Sequence, residues 1–410
     1  MNILYVTQYF SDEPTHASTV TTLEIVERLA RRGHEVDVIS ADSPGTMRIY
    51  QKRRSIAKTI SIPLPEFSTQ WYDGFATFFT HTLGHAPLLL NALALDHFRE
   101  RFDAIISMYH PTHLATVSAY ALSRILKLPL VAKIHDFIIE ATGLPMLKRM
   151  YHTVLGNINL RFLRRSNIVL VQSPELKRVA NQQGCVDSAR MIIFPNGVDT
   201  DVFRPGIKSE GLRNKLGLEG KTVLLFLGGL YGYRHPELLI KALPDIVRET
   251  KHLKALFVGR GPEEPRLLAL ARRLGVNDYV EFVGSVKYSL VPRFISLADV
   301  TVGPLTLTGY PSIYGATPRT VAEYMACAKP VVVTRGAVSE SIVIDGYNGR
   351  VLEPADIEGL SAAVINLVED DDLSRRIGQN AREHVEKMCS WDVLMTRLEK
   401  VLNALVQSAD

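Results

Sequence analysis

The stretch from Thr317 to Thr334 holds the residues best suited to chemistry in this chain. It reads TPRTVAEYMACAKPVVVT, the pattern of a helix followed by a buried strand. Thr317 suits a helix cap, and Pro318 suits the first turn, where its missing N–H costs nothing. Arg319 then falls where the helix dipole is already positive. Glu323 follows four residues later, the less favourable order for a helix ion pair. A helix serving only the fold would place an acid at its start. A base beside unpaired N–H groups instead describes a seat for an anion such as phosphate; the alternative is a solvated Arg on a capped helix. A second candidate, Gly228-Gly229-Leu230-Tyr231-Gly232-Tyr233-Arg234, ends a predicted strand and enters a helix near Pro236. Its glycines let the backbone approach a phosphate closely, although a plain strand-to-helix turn shares the pattern.

Elements must position these residues, and the bulk properties bound what those elements are. At 410 residues, two domains are the default expectation. Hydrophobic content of 46% and charged content of 22% are those of a globular protein. A net charge of +4 is too small for a dedicated nucleic-acid binder, so no nucleic-acid partner is expected. Two runs nevertheless lack any acid: residues 47–60, with Arg48, Lys52, Arg53, Arg54 and Lys58, and residues 141–174, with Lys148, Arg149, Arg161, Arg164 and Arg165. The segment 66–79 is rich in aromatics. Such features suit an anionic membrane surface. Cys185, Cys327 and Cys389 share no metal or redox spacing, which suggests a reducing compartment. The opening Met1-Asn2-Ile3-Leu4-Tyr5-Val6-Thr7 reads as a strand rather than a signal peptide. The longest apolar run, near 86–95, is too short to span a bilayer. A cytoplasmic protein, either soluble or peripheral on the membrane's cytoplasmic face, is expected.

Short apolar runs alternate with amphipathic stretches, the pattern of parallel sheets covered by helices. Strands are predicted at 2–7, 35–39, 103–107, 129–134 and 167–171, with a helix near 18–32 and an irregular segment over 47–100. In the second half, strands fall near 222–227, 254–259, 279–282, 299–303, 330–334 and 350–352. Helices near 236–249, 263–274, 288–297, 318–328 and 355–368 separate them. Turn residues cluster over Pro195–Pro205 and mark a boundary. The expected fold is α/β, with two Rossmann-like, doubly wound domains facing each other across a cleft. The domains are expected over 1–203 and 204–388. A terminal helix within 389–410 would pack back on the first.

Several stretches together resemble the retaining, family 4 glycosyltransferases of GT-B fold. They are Arg32-Gly33-His34-Glu35-Val36, His135-Asp136, Pro195–Pro205, Glu323-Tyr324-Met325-Ala326 with Lys329-Pro330-Val331-Val332, Glu340, and Asn348-Gly349. The order is that of the family and the matches run over most of the chain. The resemblance implies transfer of a sugar from a nucleoside diphosphate sugar, UDP- or GDP-linked, to a glycan or lipid-linked acceptor. It implies no other cofactor. Catalytic roles then fall to His135, which would touch the transferred sugar, and to Arg234 and Glu323. The donor would be held by Gly228, Gly229, Arg234, Gly284, Thr317, Pro318, Arg319 and Glu323, with Glu323 accepting the ribose hydroxyls. Asp12, His16 and Ser18 occupy the place of a family Gly pair and could meet acceptor or phosphate.

Two departures stand out. The family usually places Arg at 229, where this chain has Gly, and Lys at 234, where it has Arg. The commoner pattern also puts a second Glu at 315, which is Gly here. The sequence resembles instead a subgroup with Ser/Thr-Pro-x-Lys/Arg before Glu-Tyr-Met. No metal-ligand cluster is visible in the sequence, so metal-independent transfer is expected. A nucleotide-sugar epimerase of the same fold and a catalytically silent binding subunit are the rival readings.

Overall fold

The computed structural model describes residues 1–7, 17–43, 46–53, 56–63, 101–109, 115–134, 146–182, 184, 186–303, 319–335 and 342–408. The chain divides into two compact units. One comprises Met1–Pro195 with Met395–Asp410; the other comprises Asn196–Tyr310 with Thr317–Leu394.

The first unit carries strands β1 (Asn2–Thr7), β2 (Glu35–Ser43), β3 (Thr46–Arg53), β4 (Ile56–Pro63), β5 (Ala104–Tyr109), β6 (Leu130–Ile134), β7 (Ile168–Val171) and β8 (Met191–Ile193). They form one sheet in the order β4-β3-β2-β1-β5-β6-β7-β8. From β2 to β8 every pairing is parallel, and β3 and β4 add an antiparallel hairpin at one edge. That hairpin corrects the irregular segment expected over 47–63; residues 64–100 lie outside the described residues. Helices α1 (Ala17–Arg31), α2 (Ala115–Leu126), α3 (Met146–Leu163) and α4 (Pro174–Gln182) belong to this unit. Of these the sequence predicts only the first. Helix α2 packs on Leu4, Val6 and Ile105, while Leu163 and Leu176 pack on Ala132, Ile134 and Val169.

The second unit carries β9 (Thr222–Leu227), β10 (Leu253–Val258), β11 (Val280–Gly284), β12 (Val300–Val302), β13 (Val331–Thr334) and β14 (Arg350–Leu352). Its sheet runs β11-β10-β9-β12-β13-β14, parallel throughout. Helices α5 (Glu210–Lys215), α6 (Glu237–Glu249), α7 (Glu264–Arg273), α8 (Val291–Leu297), α9 (Arg319–Ala326), α10 (Ile357–Glu369) and α11 (Asp371–Met388) accompany it, and α12 (Trp391–Gln407) follows. The near-continuous apolar runs of the strands have a physical reason. Successive side chains point to opposite faces, and here both faces are covered. Leu224, Phe226 and Phe257 join α6, α7 and α10 on one side. Val223, Leu225, Leu256 and Val258 join α8, α9 and α11 on the other. Strand order reverses between β9 and β12, so their carboxyl ends flank the crevice where ligands bind in such sheets.

The turn-rich stretch at the boundary has a packing role. Val198 N donates to Cys389 O at 2.9 Å, and Trp391 N donates to Val198 O at 3.2 Å. The Trp391 ring lies where any Gly197 side chain would stand, 2.5 Å from the Cβ position at its Cε2. Arg382 fixes the same region by donating to Phe203 O at 2.6 Å, Ala326 O at 2.6 Å and Thr200 O at 3.0 Å. Asn348 is wholly buried and accepts from Ile344 N while donating to Ile342 O, so the Asn348-Gly349 motif holds a turn. Among the described residues, no helix is long and apolar enough to cross a membrane.

Helix α12 is tied to the residues after α1. Arg32 Nη1 donates to Glu399 Oε2 at 2.8 Å and to Thr396 Oγ1 at 3.1 Å, and His34 Nε2 lies 2.9 Å from Glu399 Oε1. Burial alone would raise the Glu399 carboxyl, but the bonds from His34 and Arg32 outweigh it and hold the group below its usual range. A depressed carboxylate contributes stability that is present above its unfolded value and lost as pH falls through its lowered folded value. Glu399→Gln is therefore expected to cost about 1 kcal/mol at neutral pH and almost nothing in acid. Thermal melts of both proteins across this pH range check it; equal losses at both ends would contradict the assignment.

Candidate functional site

Glycines stand together at the carboxyl ends of the second sheet. Gly228 follows β9, Gly259 follows β10, Gly284 ends β11 and Gly303 follows β12, with φ of +136°, +144°, +79° and +98°. Position 259 excludes a side chain by backbone contact as well as by backbone angle. A Cβ on Gly259 would collide with the Gly228 carbonyl, and one on Gly228 would collide with the Arg234 guanidinium. The strand ends are tied through Gly228 N to Val258 O and Gly259 N to Gly284 O, each at 2.9 Å. Bare backbone is thus presented at the reversal of strand order, with the Arg234 guanidinium lying against it. A short 3₁₀ turn, Gly232–Arg234, carries that Arg and ends at His235, whose φ of +46° is left-handed.

Helix α9 brings the carboxylate. Its inner face, Val321, Ala322, Tyr324 and Met325, is buried in the core, and Glu323 is only 3% exposed. The surface acid of a plain amphipathic helix is therefore excluded. Tyr288 donates its hydroxyl to Glu323 Oε1 at 2.8 Å, and Arg319 Nε donates to the same oxygen at 3.0 Å. The Arg319 guanidinium also lies 4.6 Å from the Tyr288 ring centroid, a cation–π distance. The sequence assigns Arg319 to a phosphate and disfavours its pairing with Glu323; the structure makes that pair. Burial of Glu323 explains it, because a carboxylate removed from water requires partners.

Tyr324, next in sequence, links helix and strand. Leu227 N at the end of β9 donates to the Tyr324 hydroxyl at 2.8 Å. Burial pushes this hydroxyl far up, opposed by the Leu227 bond and by the charge of Arg234, while the charge of Glu323 adds to the rise. One hydroxyl thus feels both Arg234 and Glu323, so the two candidates converge on the end of β9.

Several sequence candidates find other settings. Gly229 sits under the Tyr231 ring, and a Cβ there would meet it at 2.5 Å. Lys329 belongs to the frame: its Nζ donates to Ser296 O at 3.1 Å and Ala298 O at 2.6 Å. The Cys327 thiol is pushed up to about 12, mainly by burial, and is chemically quiet. His135, Asp12, His16, Thr317, Pro318 and Glu340 lie outside the described residues, and Ser18 is placed only by its backbone within α1. Three residues were missed. Tyr288 follows β11 by four positions and gave no signal; Tyr324 stood inside a motif but looked like core. Arg260, exposed after β10, sets its guanidinium Nε 3.3 Å from where a Gly284 Cβ would stand. The Val-Gly-Arg-Gly-Pro run at the end of a predicted strand could have flagged it. Among the described residues, no group of three or more potential metal ligands occurs.

Comparisons with known proteins bear on the family and the fold. A family model described as Glycosyltransferase Family 4 matches residues 18–202, and one described as Glycosyl transferases group 1 matches residues 208–384. The chain belongs to the family 4 glycosyltransferases of GT-B fold. Over 217 residues it is 29% identical to a GDP-mannose-dependent alpha-(1-6)-phosphatidylinositol monomannoside mannosyltransferase of Mycolicibacterium smegmatis. That match covers 53% of this chain and 57% of the relative, less than two thirds of its length. It is 25% identical over 367 residues to the alpha-D-kanosaminyltransferase of Streptomyces kanamyceticus, covering 87% and 92% of the two chains. Anabaena HepE, solved in complex with UDP, superposes with a TM-score of 0.73 at 19% identity, covering 99% of this chain and all of that one. At that identity the likeness is one of fold.

The Tyr324–Leu227 bond gives a test of the frame. Tyr324→Phe would leave a buried N–H without its acceptor, at a cost of about 2 kcal/mol. In a unit of this size the melting temperature should fall by about 4–8 °C. An unchanged melting temperature would show that the hydroxyl does not hold the strand end.

Proposed function

We propose that this GT-B glycosyltransferase moves a sugar from a nucleoside diphosphate sugar to a glycan or lipid-linked acceptor, with retention of configuration and without a metal ion. The buried carboxylate of Glu323, beside the Arg234-covered strand end, is the observation that carries the reading. A carboxylate so placed accepts paired ribose hydroxyls. Its present donors, Tyr288 and Arg319, orient it until the ligand shares it. Binding of UDP by the HepE structure supports a donor of this class.

Leaving-group departure develops positive charge on the sugar ring and negative charge on the diphosphate. Fixed positive groups aimed at the second charge give the largest help, and losing one commonly costs about 3 kcal/mol, or two orders of magnitude in rate. Arg234 fills that role, with the bare amides of the Gly228 row and the start of α9. Arg319 lies at the same helix start, so it supplies charge to the phosphates while orienting Glu323. These groups take the place of a divalent ion. His135 is assigned to the reacting face and Gly284 to the nucleoside side. The loop with Asp12, His16 and Ser18 is assigned to acceptor or phosphate. A silent subunit remains the second reading, favoured by Tyr231 covering Gly229, where the family usually carries a charge.

The test compares Glu323→Ala with the unaltered chain by calorimetry, using UDP, GDP and their 2′-deoxy analogues. The unaltered chain should prefer the ribose form of one base, and the variant should lose about tenfold to a hundredfold in affinity together with that preference. Retained preference in the variant would remove Glu323 from the site. For transfer itself, labelled nucleotide sugar is incubated with and without membranes. Label entering the membrane fraction or a larger glycan despite a chelator, and lost in Arg234→Ala, supports metal-free transfer; label found only as nucleotide sugar or free sugar contradicts it.

A further inference from the structure

Helix α3 is apolar on two opposite sides, and only one of them is covered. Leu155, Asn159 and Leu163 face inward and are buried, and Phe162 stacks on Tyr120 of α2 with centroids 5.2 Å apart. On the other side Met146, Met150, Val154 and Ile158 are 70%, 53%, 56% and 38% exposed. Their four-residue spacing places them in one sector of roughly 120°. A solvated helix face has no reason to carry four large apolar side chains in register. The same sector ends in exposed Arg161, with Arg164 and Arg165 in the turn beyond it. Arg165 Nη1 donates to Arg161 O at 3.2 Å, and Arg190 Nη1 donates to Arg164 O at 3.0 Å, which gathers guanidinium groups at this helix end. No acid occurs from 141 to 174. The next ones in sequence are engaged: Glu175 accepts from Arg178, and Asp187 accepts from Ala189 N.

We infer that the outer face of α3 docks on an anionic lipid bilayer. Charge decides between occupants. A protein partner is anchored by buried aromatic residues with mixed charge at the rim. Among the described side chains this face carries Met146, Met150, Val154 and Ile158 with one uncharged polar residue, Asn157, and it ends in cations. Flexible aliphatic side chains sinking below the headgroups, with Arg groups on lipid phosphates, is the arrangement of an interfacial helix. Met146 stands where the chain re-enters a helix after the carboxyl end of β6, the ligand-binding end in sheets of this kind. The aliphatic part of the face therefore lies toward the active end of the first sheet, and the Arg groups lie away from it. This deepens the proposed transfer, on which its meaning for the acceptor rests: a lipid-linked acceptor would be reached without leaving the bilayer.

The experiment is co-sedimentation of the full chain with phosphatidylcholine vesicles, with and without phosphatidylglycerol. The chain should bind the anionic vesicles and bind the neutral ones far more weakly. Arg161→Gln with Arg164→Gln should lower partitioning about 25-fold, about fivefold per charge removed. Met150→Asp with Val154→Asp should abolish the binding that survives high salt. Both variants alter exposed side chains, and melting temperatures equal to the unaltered chain confirm that they fold. No binding by the unaltered chain, or equal binding by both variants, overturns the inference. So does a lipid-free dimer, seen by sedimentation, that Met150→Asp dissolves. Nucleoside diphosphate affinity is measured on the same samples. Its absence would fail the proposed function and leave the docking result standing on its own.

Discussion

The close approach of strand ends in the second sheet governs the rest of the site. Gly259 meets the Gly228 carbonyl with no room for a side chain, and Gly228 in turn takes the Arg234 guanidinium against its own backbone. A larger residue at 259 would push the strand ends apart, and one at 228 would displace the guanidinium. Among the described residues no acid is paired with that guanidinium, which leaves its charge for an anion. The Leu227–Tyr324 bond then fixes α9 to the same strand end.

Glu323 shows how burial and charge are reconciled. A carboxylate 3% exposed is stable only with donors around it, and two very different donors serve it. Tyr288 is uncharged and braced by Phe203, 5.7 Å away between ring centroids. Arg319 is charged and lies over the Tyr288 ring. The three residues form a unit in which each orients the next. The favourable electrostatics of Arg319 follow from this unit more than from helix spacing, which is why a rule for exposed pairs misjudged it.

The sequence made the second sheet legible almost strand for strand, because parallel strands buried on both faces become unbroken Val, Ile and Leu runs. The first half was harder to read. Helices α2, α3 and α4 were overlooked, and in α3 the reason is physical: apolar residues on two faces blur the single stripe that announces a helix. The β3–β4 hairpin was hidden by its basic residues, since an edge strand has less need of an apolar pattern. Within the site, Glu323 and Arg234 were readable through motif and position. Tyr288 was not, since its importance comes from contact with a residue 35 positions away. Lys329 and Asn348, although parts of recognisable motifs, turned out to serve the frame.

The chain has two tryptophans, and Trp391 lies against Gly197 at the start of α12. An indole pressed onto backbone, in a site only 4% exposed, gives emission governed by a dry, rigid setting. The chain therefore carries a built-in optical reporter at the seam between the Pro-Asn-Gly-Val-Asp turn and the last helix. Loosening of that seam would register as a red shift.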